Sequence, residues 1–330
     1  MSTPQPPALA DFSSLTPDLV IELIEKTLGV RCSNLCRTLT SYINRVYDVQ
    51  LDDGSWVVVK FYRPGRWNRD ALQDEQDFVT ELAEAELPVI APIKGASGAT
   101  LHDHDGLFFA IFPKKGGRPV DEFNDDQWKE FGRLMGRVHN VGAQRKPRNR
   151  LVIHPEKSTR DHIKAILALD FPSPGVRREF EMTVNELVEQ IAPMFDDIAD
   201  IRIHGDCHVA NMLQRPGEPI YLIDFDDMAS GPAVQDLWMM LPAHRKDSQR
   251  ELDLLLDGYE TFREFDYAEL RLIEPLRAMR FIHFMAWCAR QKADGGFARL
   301  SPDWGTASYW RQEIHDLRKQ MQEITDHENG

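Results

Sequence analysis

Cysteine is scarce in this chain: four in 330 residues. Only Cys32 and Cys36 are near neighbours, and no CxxC pair occurs, so neither a disulfide framework nor a zinc ribbon is expected. A reduced, cytoplasmic protein fits that usage. Long apolar runs are also missing. The most apolar late stretch, FIHFMAWCA, spans nine residues between Arg280 and Arg290, against the roughly 20 needed to cross a bilayer. The start, MSTPQPPALADF, has no basic segment ahead of an apolar core, so no signal peptide is expected. Positive charge is in deficit, 39 Lys and Arg against 53 Asp and Glu for a net charge of −14. That argues against a general nucleic-acid binder, although a local basic patch stays possible. No internal repeat appears. Neither G-x-G-x-x-G nor G-x-x-x-x-G-K-[ST] occurs, which removes the two common glycine-rich phosphate loops.

What is present is an ordinary globular composition, 42% hydrophobic, and a length sufficient for two domains or one large bilobal one. TPDLVIELIEKTLG reads as an amphipathic helix capped by Thr16 or Asp18 and ended by Gly29. NRVYDVQLDDGSWVVVKFY reads as two strands around an Asp53-Gly54 turn. RDALQDEQDFVTELAEAEL is a helix stopped by Pro88, and GATLHDHDGLFFAIFP a hairpin turning at Asp105-Gly106. After the linker-like KKGGRP the pattern becomes mostly helical, with Phe131, Leu134, Met135 and Val138 on one face of the first helix. The expectation is an α+β, bilobal, protein-kinase-like architecture. Residues 1–112 form a small mixed sheet-and-helix lobe, 113–119 a hinge, and 120–330 a larger helical lobe, with a cleft between.

One hairpin interrupts the helical part, and its approach is dense in reactive groups: HGDCHVANML, residues 204–213, then DFDD after the apolar IYLI. RPGEP supplies the turn. An antiparallel hairpin brings the start of one strand beside the end of the other, so Asn211 and Asp224 meet at the open end. Asp206 lies on the loop leading in. Two carboxylates and an amide suit a hard cation such as Mg²⁺, completed by water and phosphate oxygens. The order H-x-D-x-x-x-x-N, followed by Asp after an apolar run, matches the catalytic loop and metal motif of protein kinases, with Gly205 in place of arginine and DFD in place of DFG. There Asp206 is the base toward the acceptor hydroxyl, while Asn211 and Asp224 hold Mg²⁺ on the phosphates of ATP. Zinc on His204 and His208 would need a helix that Gly205 and a following strand disfavour.

The small lobe offers an independent check. WVVVK ends in Lys60 on a strand, the position of the kinase lysine. The next helix puts Glu75 in the middle of an apolar arc of Ala71, Leu72, Phe78, Val79 and Leu82. A carboxylate there needs a partner, and Lys60 is the expected one. Glu86 shares the arc but reaches water at the helix end. TSYINRVYDV stands where a phosphate loop belongs. Thr40, Ser41 and backbone amides there suit phosphates, and an ordinary turn explains them as well.

With SYINRVY, VVKFYRPGRW, FPKKGGR, HGDCHVAN, DDMASGPAVQDLWMML and IEPLRAMR in place, the sequence resembles the bacterial stress response kinase A family, serine/threonine protein kinases of choline-kinase-like fold. The resemblance runs from about residue 40 to 280. It implies a cytoplasmic, monomeric kinase using ATP and Mg²⁺ on a protein substrate in stress survival. It also implies Asp206 as base, Asn211 and Asp224 as metal ligands, Ser41 as an ATP contact, and Asp236 as a buried brace of the catalytic loop. From the residues alone, Asp236 equally caps the following helix. Two other readings stay open: a small-molecule kinase of the same fold acting on an amino-alcohol or sugar, and a nucleotide-binding pseudokinase scaffold. Only DMASGPAVQ separates DFD from Asp236, with Ser230 its sole hydroxyl and Gly231-Pro232 making a tight turn. An activation-loop switch is therefore not expected. Arg277 and Arg280 either face the cleft or are solvated helix residues.

Overall fold

A computed structural model describes residues 11–41, 43–118, 120, 122–291 and 302–328. The first ten residues, and Pro119 at the end of the expected hinge, lie outside the described residues. Two compact units emerge, and neither is a single stretch of chain. The first gathers the chain up to Glu122 with Pro147–Arg150 and Val209–Met228, and the second takes Phe123–Lys146, Leu151–His208 and everything from Ala229.

In the first unit, α1 (Pro17–Leu28) starts where Thr16 accepts a hydrogen bond from the Leu19 amide and ends at Gly29, φ 70°. A five-stranded antiparallel sheet follows in the order β1-β2-β3-β5-β4. Its strands are β1 (Cys32–Leu39), β2 (Arg45–Leu51), β3 (Trp56–Phe61), β4 (His102–His104) and β5 (Leu107–Pro113). The two expected hairpins are both there. The edge strand β1 was not foreseen: CSNLCRTL lacks alternation and is mostly exposed, so only its backbone pairing with β2 makes it a strand. Period-2 alternation decides the rest. Val57, Val59 and Phe61 of β3 join Val20 and Ile24 of α1 in the core, which leaves Val58 and Lys60 on the opposite face.

Helix α2 (Arg69–Glu84) is capped by Asn68. It stops before Pro88, because Glu86 turns left-handed at φ 57° and the Leu87 amide closes on the Leu82 carbonyl at 3.0 Å. Glu86 is therefore outside the helix, not on its arc. The hairpin β7 (Met212–Leu213) and β8 (Tyr221–Leu222) is tied to this unit by Leu222, whose amide donates to the Pro88 carbonyl at 2.9 Å.

The second unit is mainly helical: α3 (Asp125–Gly142), α4 (Arg160–Leu167), α5 (Pro174–Ile191), α6 (Val234–Trp238), α7 (Gln249–Tyr259), α8 (Ile273–Gln291) and α9 (Ala307–Glu328). Helices α3 and α7 touch through glycine. A Cβ on Gly132 would lie 2.0 Å from the Leu255 carbonyl oxygen, and one on Gly258 2.1 Å from that of Lys129, so any side chain there forces the helices apart. Two short strands, β6 (Ile201–Ile203) and β9 (Ala229–Gly231), pair antiparallel and lead to the functional loops. β9 corrects an expectation. Ser230 sits in a buried strand rather than a tight turn, its amide bonded to the Leu151 carbonyl and its carbonyl to the Ile153 amide.

Candidate active site

The HGD loop belongs to the second unit, where one carboxylate fixes its backbone. Asp236, fully buried on α6, accepts from the His204 amide at 2.7 Å and the Gly205 amide at 2.8 Å, and meets His139 Nε2 at 3.2 Å. His139 Nδ1 in turn faces the Tyr259 hydroxyl at 3.0 Å. Asp236 thus lies inside its helix and braces the HGD loop instead of capping. Gly205 adopts φ 84°, a region that favours glycine. His204 is buried and its Nδ1 accepts from the Asp206 amide at 3.3 Å.

The Asp206 carboxylate stays partly open. Arg280 donates to Oδ1 at 2.6 Å, and His208 Nε2 lies 3.4 Å from Oδ2. Burial alone would push the carboxyl pKa up, but the His208 hydrogen bond and the Arg280 charge outweigh it and hold it well below the usual range. Asp206 is therefore an anion at any physiological pH. Arg280 is not a solvated helix residue. Arg277, three residues earlier, is held by Glu274, the Ala243 carbonyl and the Trp238 ring and shares a groove with Arg280. Beside Arg280 opens a groove of about 610 Å³, bounded by Phe281 and Phe284 on α8 and by Asp316 and Lys319 on α9.

In the first unit the hairpin closes as its spacing demands: the Ile223 amide donates to the Asn211 carbonyl at 3.0 Å. Asn211 and Asp224 thus flank its open end. Asp224 is half exposed, at 49%, and takes a left-handed φ of 61°, a strained setting typical of functional positions. Lys60 reaches it at 2.8 Å and also binds Asp226. Burial lowers the lysine pKa, yet the charges of Asp224, Asp226 and then Glu75 more than reverse that. A pocket of about 330 Å³ opens here, lined among others by Ser41, Val58, Lys60, Glu75, Leu222 and Asp224. Four of the sequence-derived positions, Ser41, Lys60, Glu75 and Asp224, therefore share one pocket.

The expected Lys60–Glu75 ion pair is replaced. Glu75, 2% exposed, meets Arg150 at 2.9 Å and accepts from the Tyr62 hydroxyl at 3.1 Å. Burial first, and the Asp226 charge next, push its pKa up to about 7. The lysine is already held by two aspartates, and Arg150, buried over the Trp67 ring, takes the glutamate instead. Arg150 and Asp226 escaped sequence reasoning. Arg150 comes from a short loop with no motif, and Asp226 reads as an extra acid in DFDD. The one available signal was KFYRPGRW, whose Arg66 binds Asp226 at 3.3 Å and Asp227 at 2.6 Å.

Residues 36–273 match the model of the phosphotransferase enzyme family. Stress response kinase A of Escherichia coli (strain K12) is 38% identical over 323 residues, 96% of this chain and 95% of the relative. The chain belongs to the phosphotransferase enzyme family, in its stress response kinase A branch. The serine/threonine protein kinase RdoA of Salmonella typhimurium (strain LT2) is 37% identical over 308 residues, 92% of this chain and 91% of that one. Among the solved structures that share the fold are two kinases. Amicoumacin kinase hAmiN, in complex with AMP-PNP, Ca²⁺ and Ami, has TM-score 0.71 at 18% identity, covering 91% of this chain and 93% of that one. The microcompartment-associated aminopropanol kinase has TM-score 0.71 at 16%, covering 94% and 98%. The protein is thus a kinase of α+β, kinase-like fold. Among the described residues no helix is long and apolar enough to cross a membrane.

The hairpin end fits a divalent cation. It carries the exposed carboxylate of Asp224 beside Asn211, and among the described residues no group of three or more His, Cys, Asp or Glu is placed to cage a metal unaided. That leaves coordination positions for phosphate and water, as Mg²⁺ prefers.

Proposed function

We propose that this kinase transfers the γ-phosphoryl group of Mg·ATP to a serine or threonine hydroxyl of a protein substrate, as a cytoplasmic monomer serving stress survival. One observation carries the chemistry: Asp206 is held as an anion on a loop whose backbone is pinned by buried Asp236. The choice of a protein acceptor is supported by the relatives named stress response kinase A and serine/threonine protein kinase RdoA, matched along more than 90% of this chain.

Lys60 and the amides around Ser41 orient the phosphates. Asn211 and Asp224 would hold Mg²⁺, which when bound would neutralise phosphate charge. Asp206 accepts a hydrogen bond from the acceptor hydroxyl and aims its oxygen. The new P–O bond forms as the bond from the γ-phosphorus to the bridging oxygen breaks, ADP leaves, and the hydroxyl proton passes to Asp206. A carboxylate of depressed pKa is a weak base, which suits a loose transition state where the proton moves late and positioning contributes most. The groove beside Arg280 gives the acceptor room.

A second reading, a small-molecule kinase, draws on the shared fold of the amicoumacin and aminopropanol kinases. Incubation with γ-labelled ATP separates them, using a mixed Ser/Thr protein acceptor in one arm and amino-alcohols in the other. Label in protein hydroxyls supports the proposal, and label only in the small alcohol replaces it. No label in either arm, with nucleotide still bound, leaves the scaffold reading.

A further inference from the structure

Three carboxylates compete for Lys60, and the geometry ranks them. Its ammonium hydrogen-bonds Asp224 at 2.8 Å and also binds Asp226, whereas Glu75 is engaged by Arg150 at 2.9 Å and Tyr62 at 3.1 Å. Resting on the reading of Lys60 as the phosphate-positioning lysine, we infer that Asp226, not the helix glutamate Glu75, is the carboxylate that anchors it. Asp224 is exposed and assigned to the metal. Asp226 is 4% exposed and fastened on every side. Its Oδ1 takes Lys60, and its Oδ2 takes Asn44 Nδ2 at 2.5 Å and Arg66 at 3.3 Å. Its carbonyl accepts from Arg150 at 2.9 Å. A carboxylate oriented by that many donors before substrate arrives costs no reorganisation during the reaction.

Glu75 then acts one step removed. One guanidinium nitrogen of Arg150 binds Glu75 and the other binds the Asp226 carbonyl. Glu75 and Arg150 are positioning residues for the loop, and the loop's own acid holds the lysine. This also accounts for burial of a glutamate on an apolar helix face without a lysine partner: its compensation is a fully buried arginine.

Steady-state kinetics of the full chain with ATP decide between the two anchors, using Lys60→Met, Asp226→Asn and Glu75→Gln singly and in pairs, with thermal unfolding of each variant. Asp226→Asn and Lys60→Met should each lower kcat/KM for ATP about 100-fold, and the pair should fall only a few-fold further, since both remove one interaction. Glu75→Gln should cost under about tenfold, lower Tm, and multiply with Lys60→Met. Asp226→Glu should recover part of the rate lost in Asp226→Asn, which covers the case of an Asn variant that folds poorly. Multiplying effects for Lys60 with Asp226, and shared effects for Lys60 with Glu75, would overturn the inference. Absence of turnover in the unmutated chain would strike the kinase-site reading instead. The same pairs then decide the anchor through thermal unfolding, where additivity for Lys60 and Asp226 overturns it.

Discussion

The two loops that carry the candidate chemistry are fixed by opposite means. The HGD loop is held through its backbone: Asp236 gathers two amides and a histidine, and no part of that brace faces solvent. The DFDD loop is held mainly through its side chains, by Lys60 and Arg66 on Asp224, Asp226 and Asp227, with Arg150 on the Asp226 carbonyl. Backbone bracing fixes a loop's shape whatever charge approaches. Ion pairing lets a loop respond, because a cation or phosphate competes for the same groups. The first suits a base that must stay where it is. In the second, the exposed Asp224 can exchange partners when nucleotide enters while the buried Asp226 stays fastened.

The largest effect should come from the braced loop's functional group. Asp206→Asn leaves the brace intact and removes the charge, so kcat should fall by about 10³-fold or more while ATP affinity stays within a few-fold. Single-turnover assay with separate nucleotide titration checks this, and near-normal turnover would remove Asp206 from catalysis.

Next is the brace itself. Asp236→Ala orphans two buried amides and the His139 contact, and urea unfolding should show a loss of about 3–5 kcal/mol. A loss below 1 kcal/mol would mean the loop holds its shape without Asp236.

These two predictions rest on features of different legibility. The placing of Asn211 and Asp224 at one hairpin end and of Lys60 on its strand face was readable because the spacing is local: a hairpin fixes which residues flank its end, and strand alternation fixes the face of Lys60. The helix caps at Thr16 and Gly29 and the turn at Asp105-Gly106 were readable for the same reason. Arg150 was not, since it reaches Glu75 across 75 residues and carries no pattern of its own. Nor was β1, whose polar sequence becomes a strand only because β2 offers an edge. The exchange of Glu75's partner from Lys60 to Arg150 is a tertiary choice, decided by which cation is left over once DFDD has taken the lysine.

A smaller effect concerns stability against pH, away from both loops. Glu269 is 5% exposed and accepts from the Val234 amide at 2.7 Å, and burial raises its pKa to about 7. Its folded pKa exceeds its unfolded value, so its stabilisation is complete below about pH 4.3 and lost as pH rises through 7. Relative to Glu269→Gln, the unmutated chain should lose on the order of 2–3 kcal/mol between pH 4.5 and 7.5. Parallel stability curves for the two proteins would show that folding does not raise the Glu269 pKa.

The smallest effect returns to the contrast between the loops, through Arg280. The brace fixes the position of Asp206 but does nothing for its charge, which Arg280 and His208 hold. Arg280→Gln should therefore move the titration of Asp206 without moving the loop. Removing the cation lets burial count for more, so the carboxyl pKa rises. At neutral pH Asp206 remains ionised, and the plateau of kcat should fall by no more than about tenfold, part of it from the acceptor groove that Arg280 lines. On the acid side the two proteins should part. The variant should lose its rate at higher pH than the unmutated kinase, because a group with a raised pKa is protonated sooner as pH falls. Comparing each acid limb with its own plateau cancels any change in acceptor affinity. Superimposable limbs would mean that Arg280 does not hold the charge of Asp206, and that His208 and the surrounding loop suffice.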